Sequence, residues 1–299
     1  MFQLALIGAG RMGRTHLKAL LHSQSVRVSA VVEPRAELAK ELVAEGYVVY
    51  DSIEQLEITE DIDGFLVAAP SQLHLTLISQ LLRFSLPILC EKPCGISESE
   101  AIEVKELVER SEVRLQIGYW RRFVPALVSL RQDIASNKFG DLLLVQASQW
   151  DHRPPSIAFR NSSGGILTDM GVHEVDMIQW LTGSKIQSMS RSSIMSRELN
   201  VEDEDAASLS LTLSSGTLGL ITLGRFYPDA DFVGIEVMGE SDHARIEVLS
   251  GESGEVVQLA ALRAQAEAFA LGNDPNSANI DDAINALSAI SNSRDKDSK

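Results

Sequence analysis

The amino-acid sequence predicts a two-domain α/β protein: an amino-terminal doubly wound parallel sheet, then an α+β domain with a mostly antiparallel open sheet. Its 299 residues are enough for two domains that each bury a core. Apolar strand candidates alternate with helix candidates over residues 1–118, whereas later strands follow one another through turns. We therefore expect domains at 1–118 and 119–291, and the charged, apolar-poor residues 292–299 predict a disordered tail.

The first domain is predicted from apolar runs that do not alternate with polar residues. Such runs are typical of strands covered on both faces, as in a parallel sheet with crossover helices. Strands are predicted at 2–7, 26–32, 47–50, 64–69, 86–90 and 113–118. Helices are predicted at 11–23, 35–45, 72–84 and 97–109, the last with Ser97 and Glu100 spaced as a capping box.

The second domain is predicted from strands with a different pattern. Ser208, Ser210 and Thr212 alternate with leucines, which is the period of a strand with one apolar and one polar face. Strands are predicted at 142–150, 186–193, 206–213, 218–226, 233–238 and 244–249. A helix is predicted among them at 168–181, and two closing helices at 256–270 and 281–291.

The turn after the first predicted strand has the spacing G-x-G-x-x-G. Gly8 permits a tight turn, Gly10 lets the backbone approach a pyrophosphate, and Gly13 lets the following helix lie close to the strand. Free N–H groups and the dipole at the start of that helix favour phosphate. The turn therefore predicts a dinucleotide site that includes Arg11 and Met12, although the same spacing also occurs in glycine-rich turns that bind no ligand.

A carboxylate stands where a dinucleotide site requires one. Glu33 follows the second predicted strand, about 20 residues after Gly13, at the position that accepts hydrogen bonds from the adenosine ribose. Glu33 favours NAD because a carboxylate repels the 2′-phosphate of NADP, while Arg35 leaves NADP open as the alternative cofactor.

The segment Glu91-Lys92-Pro93 follows the fifth predicted strand. Ligands of open α/β sheets bind at the carboxyl ends of strands, so Lys92 is expected near the nicotinamide end of the cofactor. A lysine at that place is suited to acid–base chemistry. A solvated surface lysine is the alternative interpretation.

A second constellation lies in the predicted helix 168–181. Asp169, His173 and Asp176 are spaced i, i+4 and i+7, which predicts one stripe of a helix. A carboxylate one turn from an imidazole can orient the ring and stabilise its protonated form, as a proton shuttle requires. An ordinary polar helix face has the same spacing. One histidine with scattered carboxylates offers too few ligands for zinc, so no metal is expected.

Composition and charge limit the expected binding partners and the expected cellular compartment. A net charge of −16 argues against nucleic acid and against anionic membrane surfaces, since both attract basic proteins. No apolar run reaches the roughly 18 residues that suggest a membrane span, and no signal peptide fits before the first strand. Cys90 and Cys94 are expected to be reduced thiols, which predicts a cytoplasmic protein.

Taken together, five segments resemble the Gfo/Idh/MocA oxidoreductases, which include glucose–fructose oxidoreductase, inositol dehydrogenases and related sugar dehydrogenases. The segments are GAGRMGRTH, Ala69-Pro70-Ser71 with His74, Glu91-Lys92-Pro93, GYWRRF at 118–123, and GGILTDMGVHEVDMIQWL at 164–181. They occur in the order typical of the family. The resemblance implies a Rossmann domain followed by an α/β domain whose open sheet often forms an oligomer interface, hence a homo-oligomer such as a dimer or tetramer.

The resemblance also implies the site residues. Lys92, Asp169 and His173 match the residues that family members use at the substrate, where two domains contribute to one cleft. The residues implied to line the ribose and nicotinamide side of the cofactor are Ala69, Pro70, Ser71, His74 and Glu91. The residues implied to contact substrate are Arg122, Asp151, His152, Arg153 and Tyr227, with ordinary turn or surface polarity as the alternative. Trp120 departs from the family pattern, which more often has a smaller residue there, and is expected to narrow the substrate pocket or to stack on a sugar ring.

The activity implied by the resemblance is the reversible oxidation of a secondary alcohol of a sugar, inositol or related polyol. Hydride passes between the carbinol carbon and the nicotinamide, while the protein supplies geometry and a proton path. Two alternatives stay open, because fold does not determine function. One is a glycoside hydrolase that oxidises and re-reduces a tightly held NAD within one cycle, and the other is a non-catalytic NAD-binding sensor or partner protein.

Overall fold

The structure, a computed structural model, describes residues 1–56, 61–251 and 253–295. It divides into two compact units, the first formed by Met1–Trp120 and Leu259–Ala283, the second by Arg121–Gln258 and the chain from Ile284 onward. The predicted domains at 1–118 and 119–291 are continuous, whereas the chain returns to the first unit near its end. The reason is that Ala266 and Phe269 pack in the same core as the first strand.

Within the described part of the first unit, six parallel strands form a sheet ordered β3-β2-β1-β4-β5-β6. The strands are β1 (Phe2–Ile7), β2 (Val26–Val32), β3 (Val49–Tyr50), β4 (Gly64–Val67), β5 (Ile88–Glu91) and β6 (Leu115–Gly118). The helices between them are α1 (Arg11–Leu20), α2 (Ala36–Ala44), α3 (His74–Leu81) and α4 (Glu98–Ser111). The strand order reverses between β1 and β4, as in a Rossmann fold, so the predicted doubly wound sheet is confirmed.

Successive residues of β1 point into two different cores. Ala5 packs in the core that contains Ile78 of α3 and Val104 of α4. Leu6 packs in the core that contains Leu17 of α1. Because both faces of the strand are covered, the strand reads as a continuous apolar run.

The predicted capping box at the start of α4 is confirmed. Ser97 Oγ accepts a hydrogen bond from the backbone N–H of Glu100 at 3.2 Å. The Glu100 carboxylate in turn accepts from the backbone N–H of Ile96 at 2.9 Å. The first bond satisfies a donor of the first helical turn, and the second satisfies the N–H of the residue before the N-cap.

Over the described residues of the second unit, the sheet has seven strands in the order β12-β11-β7-β10-β9-β8-β13. The strands are β7 (Leu142–Trp150), β8 (Ile186–Met195), β9 (Glu204–Leu213), β10 (Leu218–Gly224), β11 (Phe232–Gly239), β12 (His243–Leu249) and β13 (Arg294–Asp295). The remaining α-helices of the described residues are α5 (Pro125–Ala135), α6 (Ile157–Arg160), α7 (Val172–Thr182), α8 (Ser253–Leu271) and α9 (Ile280–Ser291). Among the described strands of this second sheet, only the β10–β7 and β13–β8 pairs are parallel, so the prediction of a mostly antiparallel sheet is confirmed.

The alternation predicted for β9 is also present. Leu209 and Leu211 are buried, while Ser208 and Ser210 are exposed. One face of the sheet is therefore apolar and covered, and the other is polar and open.

Three local features differ from the sequence-based expectations. Helices α5 and α6 were not among the predicted helices, although α5 begins with Pro125 and places Leu127 and Leu130 on one buried side. The single helix predicted at 168–181 is instead a π-helical turn, Leu167–Gly171, followed by α7. The wider turn changes the angular spacing of the side chains that precede α7.

The predicted disordered tail differs in its first half. Arg294 and Asp295 form β13, which pairs in parallel with Ser190 and Arg191 of β8. Residues 296–299 of that predicted tail lie outside the described residues.

No helix among the described residues combines the length and the apolar character that crossing a bilayer requires.

Candidate functional site

The loops that follow β1 and β4 meet at the point where the strand order of the parallel sheet reverses. Gly8 follows β1 with a φ of +89°, and a Cβ added there would lie 2.7 Å from the Cα of Ala69, which follows β4. Pro70 and Ser71 continue the same loop, Pro70 being exposed and Ser71 half-buried. Ligands of doubly wound sheets bind at this reversal. Two of the predicted cofactor segments are thus brought together.

Each of the other two glycines has its own spatial reason. A Cβ at Gly13 would lie 2.2 Å from the carbonyl oxygen of Gly8, so a side chain would force α1 away from β1. A Cβ at Gly10 would come no closer to the protein than 3.6 Å, at Arg35 Nη2. Gly13 therefore has no side chain because the fold forbids one, whereas the fold leaves room for a Cβ at Gly10.

The start of α1 is suited to a phosphate. Gly10 is its N-cap, and no side chain among the described residues caps the helix there by a hydrogen bond. Arg11 is exposed in the first turn, and Met12 is partly buried against the core. Backbone N–H groups at an uncapped helix start bind anions, so the turn fits the pyrophosphate of a dinucleotide.

Glu33, directly after β2, is held on the glycine turn. It is 1% exposed, and its Oε2 accepts a hydrogen bond from the backbone N–H of Ala9 at 2.9 Å. The Arg35 guanidinium donates to both of its oxygens, at 2.7 Å from Nε and 2.8 Å from Nη2. Burial raises the pKa of the Glu33 carboxyl, but these bonds and the backbone N–H of Arg35 outweigh it and lower the pKa overall. Glu33 is therefore an ionised acceptor beside the turn.

His74, at the start of α3, joins two loops rather than facing solvent. Its ring nitrogens lie 2.8 Å from the carbonyl oxygen of Pro93 and 2.9 Å from that of Ala69. The side chain is 1% exposed, and burial lowers its pKa against the raising effect of the two carbonyls. His74 was expected to line the cofactor, and the structure shows it fixing the backbone after β4 to the backbone after β5.

Glu91, at the end of β5, also joins two segments of the first unit. Its Oε1 lies 2.6 Å from Nε2 of His16 in α1, and both side chains are buried. Its Oε2 accepts from the backbone N–H of Lys92 at 3.3 Å. Glu91 thus fixes the strand end that carries the half-buried Lys92 to the helix of the glycine turn.

In the second unit, Asp169 lies in the π-helical turn that precedes α7. Its Oδ2 accepts a hydrogen bond at 2.9 Å from Nη1 of Arg225, the residue that follows β10. The same Nη1 donates to Oδ2 of Asp151, which follows β7, at 3.0 Å. One guanidinium nitrogen therefore bridges two of the predicted site carboxylates.

The other terminal nitrogen of Arg225 makes a fully buried ion pair with Asp203. Arg225 Nη2 donates to Asp203 Oδ2 at 3.2 Å, and the same oxygen accepts from Arg160 Nε at 2.8 Å. Asp203 Oδ1 accepts from the backbone N–H groups of Ile166 and Glu204 at 2.7 and 2.9 Å. Asp203 therefore joins two buried arginines to the backbone at the start of β9 and at Ile166.

Helix α7 carries His173 and two acidic residues in ion pairs. His173 is 6% exposed. Asp176, expected on the same stripe as His173, pairs with Arg122, and Glu174 pairs with Arg121. All four ion-pair side chains are buried, so these pairs dock α7 within the unit.

Arg122 and Trp120 were both expected to contact substrate. Arg122 is 6% exposed and donates to both oxygens of Asp176, so in this structure its guanidinium holds α7. Trp120 is 3% exposed and belongs to the first unit. Neither side chain presents a polar surface comparable to that of Asp151 or Asp169.

The remaining predicted substrate residues surround Asp151. The His152 backbone N–H donates to Asp231 at 2.8 Å, and its Nδ1 lies 3.0 Å from the carbonyl oxygen of Tyr227. The Tyr227 ring stacks on Phe232 with centroids 5.4 Å apart, and Arg153 is exposed. The structure thus brings Asp151, His152 and Tyr227 into one neighbourhood.

Sequence reasoning missed Arg225, Asp203 and Arg160. Arg225 carried one usable signal, since a lone arginine directly after the apolar run of β10 is a candidate for a buried, paired charge. Its partners lie in separate segments of the chain, which no spacing rule connects.

The dinucleotide turn and the second unit both match known families. Residues 2–119 match a family described as an oxidoreductase family with an NAD-binding Rossmann fold. Residues 127–245 match the GFO/IDH/MocA C-terminal domain.

Similar proteins are found over most of the chain. It is 41% identical over 291 residues to the rhizopine catabolism protein MocA of Rhizobium meliloti, covering 96% of this chain and 92% of that protein. It is 31% identical over 243 residues to the myo-inositol dehydrogenase Hyg17 of Streptomyces leeuwenhoekii, covering 79% of this chain and 74% of that protein.

Solved structures share the fold. A myo-inositol dehydrogenase from Corynebacterium glutamicum superposes with a TM-score of 0.87 at 22% identity, over 97% of this chain and 95% of that one. The scyllo-inositol dehydrogenase of Lactobacillus casei, with NAD(H) and scyllo-inositol bound, gives 0.84 at 20% identity, over 98% and 96%.

Proposed function

The chain belongs to the GFO/IDH/MocA oxidoreductase family, and from that premise we propose that it oxidises a secondary alcohol of an inositol, sugar or related polyol. It is an oxidoreductase that binds NAD. The observation that carries the proposal is the glycine turn at the reversal of the sheet, where Gly10 leaves room for a ligand beside an uncapped helix start. The substrate class is supported by the similarity to a myo-inositol dehydrogenase over 79% of the chain.

The proposed chemistry uses three residues of the chain. When bound, NAD supplies the acceptor for hydride. Oxidation of an alcohol also requires its hydroxyl to lose a proton, and we assign His173 as the base that takes it. Asp169 is proposed to orient the imidazole, and Lys92 to donate a hydrogen bond that polarises the alcohol oxygen. Lys92 as the proton carrier is the alternative assignment.

Cofactor preference is proposed to follow from Glu33. Both of its oxygens are held by Ala9 and Arg35, so an ionised carboxylate stands where a 2′-phosphate would have to sit. We therefore expect NADH to bind more tightly than NADPH. Fluorescence titration with both reduced cofactors measures this, and tighter binding of NADPH would contradict it.

The test of the function is a substrate screen. Inositols, pyranoses and other cyclic polyols are incubated with NAD, and the absorbance of reduced nicotinamide is followed. We expect turnover with at least one cyclic polyol, and its loss in Lys92→Met and His173→Ala, both of which still bind NADH. Hydrolysis of an aryl glycoside without net NADH formation would favour a hydrolase instead, and unchanged turnover in both variants would overturn the residue assignment.

We also propose a homo-oligomer that uses the open face of the second unit's sheet. Leu218 of β10 and Ile194 of β8 lie on that face and are 56% and 60% exposed. Their cross-strand partners Thr212 and Ala206 are an even number of residues apart on β9, which places both on one side. Light scattering after size exclusion is expected to give a dimer or tetramer that Leu218→Glu dissociates, and a monomeric wild type would contradict this.

The chain is further proposed to act in the cytoplasm. Cys90 and Cys94 are free and buried, as in proteins of reducing compartments. Fractionation of cells that express the tagged protein tests this, and recovery outside the cytoplasmic fraction would contradict it.

A further inference from the structure

Arg225 lies behind two carboxylates of the proposed chemical site. Its side chain is 0% exposed, whereas the side chains of Asp151 and Asp169 are 22% and 17% exposed. A guanidinium that no solvent reaches cannot itself contact a substrate. Its effect on a reaction must pass through the carboxylates that it holds.

We propose that Arg225 is a positioning residue that holds the carboxylates of Asp151 and Asp169 together on one nitrogen, so that both accept hydrogen bonds from the site. Its Nη1 donates to both carboxylates, at 3.0 and 2.9 Å. Asp169 is thereby kept able to orient His173, and Asp151 is kept able to accept a hydrogen bond from a substrate hydroxyl. The inference rests on the proposed dehydrogenase function, because that function makes Asp169 and its neighbours part of the reaction.

The guanidinium can do this because it is itself fixed from behind. Its Nη2 donates to Asp203, which is 0% exposed and also accepts two backbone N–H groups. The planar fork of an arginine, anchored through one terminal nitrogen, directs the other in a set direction. Nη1 therefore points at Asp151 and Asp169, and less side-chain entropy is lost than with a flexible lysine.

The pKa of the Asp151 carboxyl depends on Arg225. Burial raises this pKa, and the hydrogen bond and charge of Arg225 lower it; with the charges of Asp169 and Asp231 also raising it, the pKa is raised overall. His152 lies next along the chain, with its backbone N–H on Asp231, and His173 follows Asp169 on α7. Because the hydrogen bond and charge of Arg225 lower the pKa of Asp151, weakening them favours the protonated form of Asp151.

A matched control lies in the same network. Arg160 is also 0% exposed and also bonds Asp203 Oδ2, but its other side-chain bonds in the described structure go to Asp205, Glu198 and the Glu204 carbonyl. The same substitution at Arg160 therefore removes an equally buried arginine from Asp203 without touching Asp151 or Asp169. Arg225→Lys and Arg225→Gln are compared with Arg160→Lys and Arg160→Gln.

The first readout is kcat/KM for polyol oxidation. We expect Arg225→Lys to lower kcat/KM by about 10- to 100-fold, the loss of a positioned charged hydrogen bond. Arg160→Lys is expected to lower thermal stability and to keep kcat/KM close to that of wild type. Equal losses of kcat/KM in both variants, or none in Arg225→Lys, would overturn the proposal; if the Gln variants do not fold, the Lys pair decides.

The second readout does not need turnover. Carbon-13 NMR of aspartate-labelled protein follows the titration of Asp151, assigned by its loss in Asp151→Asn. We expect that titration to move to higher pH in Arg225→Lys and to stay in place in Arg160→Lys. If wild type oxidises no polyol but the titration shifts as expected, the proposed function fails and the action of Arg225 on Asp151 stands. If wild type is active and the Asp151 titration is unmoved, the present inference alone fails.

Discussion

Each unit contains a buried carboxylate, and the two carboxylates are bound by different kinds of donor. In the first, the buried Glu33 sits on the glycine turn through backbone N–H groups and one arginine whose side chain is 63% exposed. In the second, the buried Asp203 is bonded by two arginines that are both 0% exposed. The dinucleotide turn is thus shaped by the main chain, whereas the neighbourhood of Asp169 is shaped by long side chains that reach one another across the unit.

This difference indicates which substitutions should disrupt each unit. A site shaped by backbone is insensitive to most side-chain changes but fails when a Cβ is added where the main chain needs the space. A site shaped by buried ion pairs fails when one partner is removed, since the other charge is left without compensation. The predictions below test these two kinds of vulnerability, from the largest expected effect to the smallest.

The largest effects are expected from alanine in the glycine turn. In Gly10→Ala the new Cβ clears the protein, so folding is kept while NADH affinity falls by about 100-fold or more through collision with the pyrophosphate. In Gly13→Ala the Cβ meets the Gly8 carbonyl at 2.2 Å, so both stability and affinity fall. Thermal unfolding and fluorescence titration separate the two. Equal loss of stability in both variants would contradict the distinct roles of these glycines.

The next effect is expected from the buried pair of Arg122 and Asp176. Arg122→Met leaves a 3% exposed carboxylate without its partner and should cost about 3–5 kcal/mol in the free energy of unfolding. Urea unfolding measures the loss. The double variant Arg122→Met, Asp176→Leu removes both charges and should recover most of it. A single variant within about 1 kcal/mol of wild type would show that the pair does not dock α7.

A smaller, pH-dependent effect is expected at Glu33. Because its pKa is lowered on folding, its stabilisation is complete above the ordinary glutamate pKa of about 4.3 and is lost as the pH falls through the folded value. Glu33→Gln should therefore be less stable than wild type by about 1 kcal/mol at neutral pH and equal to it in acid. Urea unfolding across this range measures the gap, and a constant gap would contradict the assignment.

The smallest effect is expected at an exposed pair of the first unit. Lys105 lies 2.7 Å from Asp281, with side chains 33% and 59% exposed. Solvent screens such pairs, so Lys105→Met should leave the free energy of unfolding, measured in urea, close to that of wild type. A loss as large as that of Arg122→Met would remove the contrast between buried and exposed charge.

The same difference decides what the sequence could predict. The glycine turn could be predicted because the residues that shape it lie between Gly8 and Gly13, and Glu33 follows at a fixed spacing. The capping box at Ser97 and the alternation of β9 are equally local. These features need no knowledge of which distant segments meet.

The rest depended on contacts between distant segments. Arg225 reaches residues that follow β7, precede β9 and lie in the π-helical turn, so no spacing in the sequence joins them. Arg122 was expected at substrate and is instead bonded to Asp176, because a stripe of charges on a helix does not reveal which of them a partner neutralises. The π-helical turn also escaped prediction, since a regular helix accounts for the same apolar pattern.

The most direct test of the account pairs two measurements on one set of variants: NADH affinity by fluorescence, and polyol-dependent reduction of NAD. Gly10→Ala should lose affinity while its thermal unfolding stays that of wild type. His173→Ala should keep wild-type affinity for NADH and lose turnover. Wild-type NADH affinity in Gly10→Ala would contradict the proposal that the glycine turn binds the cofactor. Wild-type turnover in His173→Ala would contradict the proposal that His173 takes the proton of the alcohol.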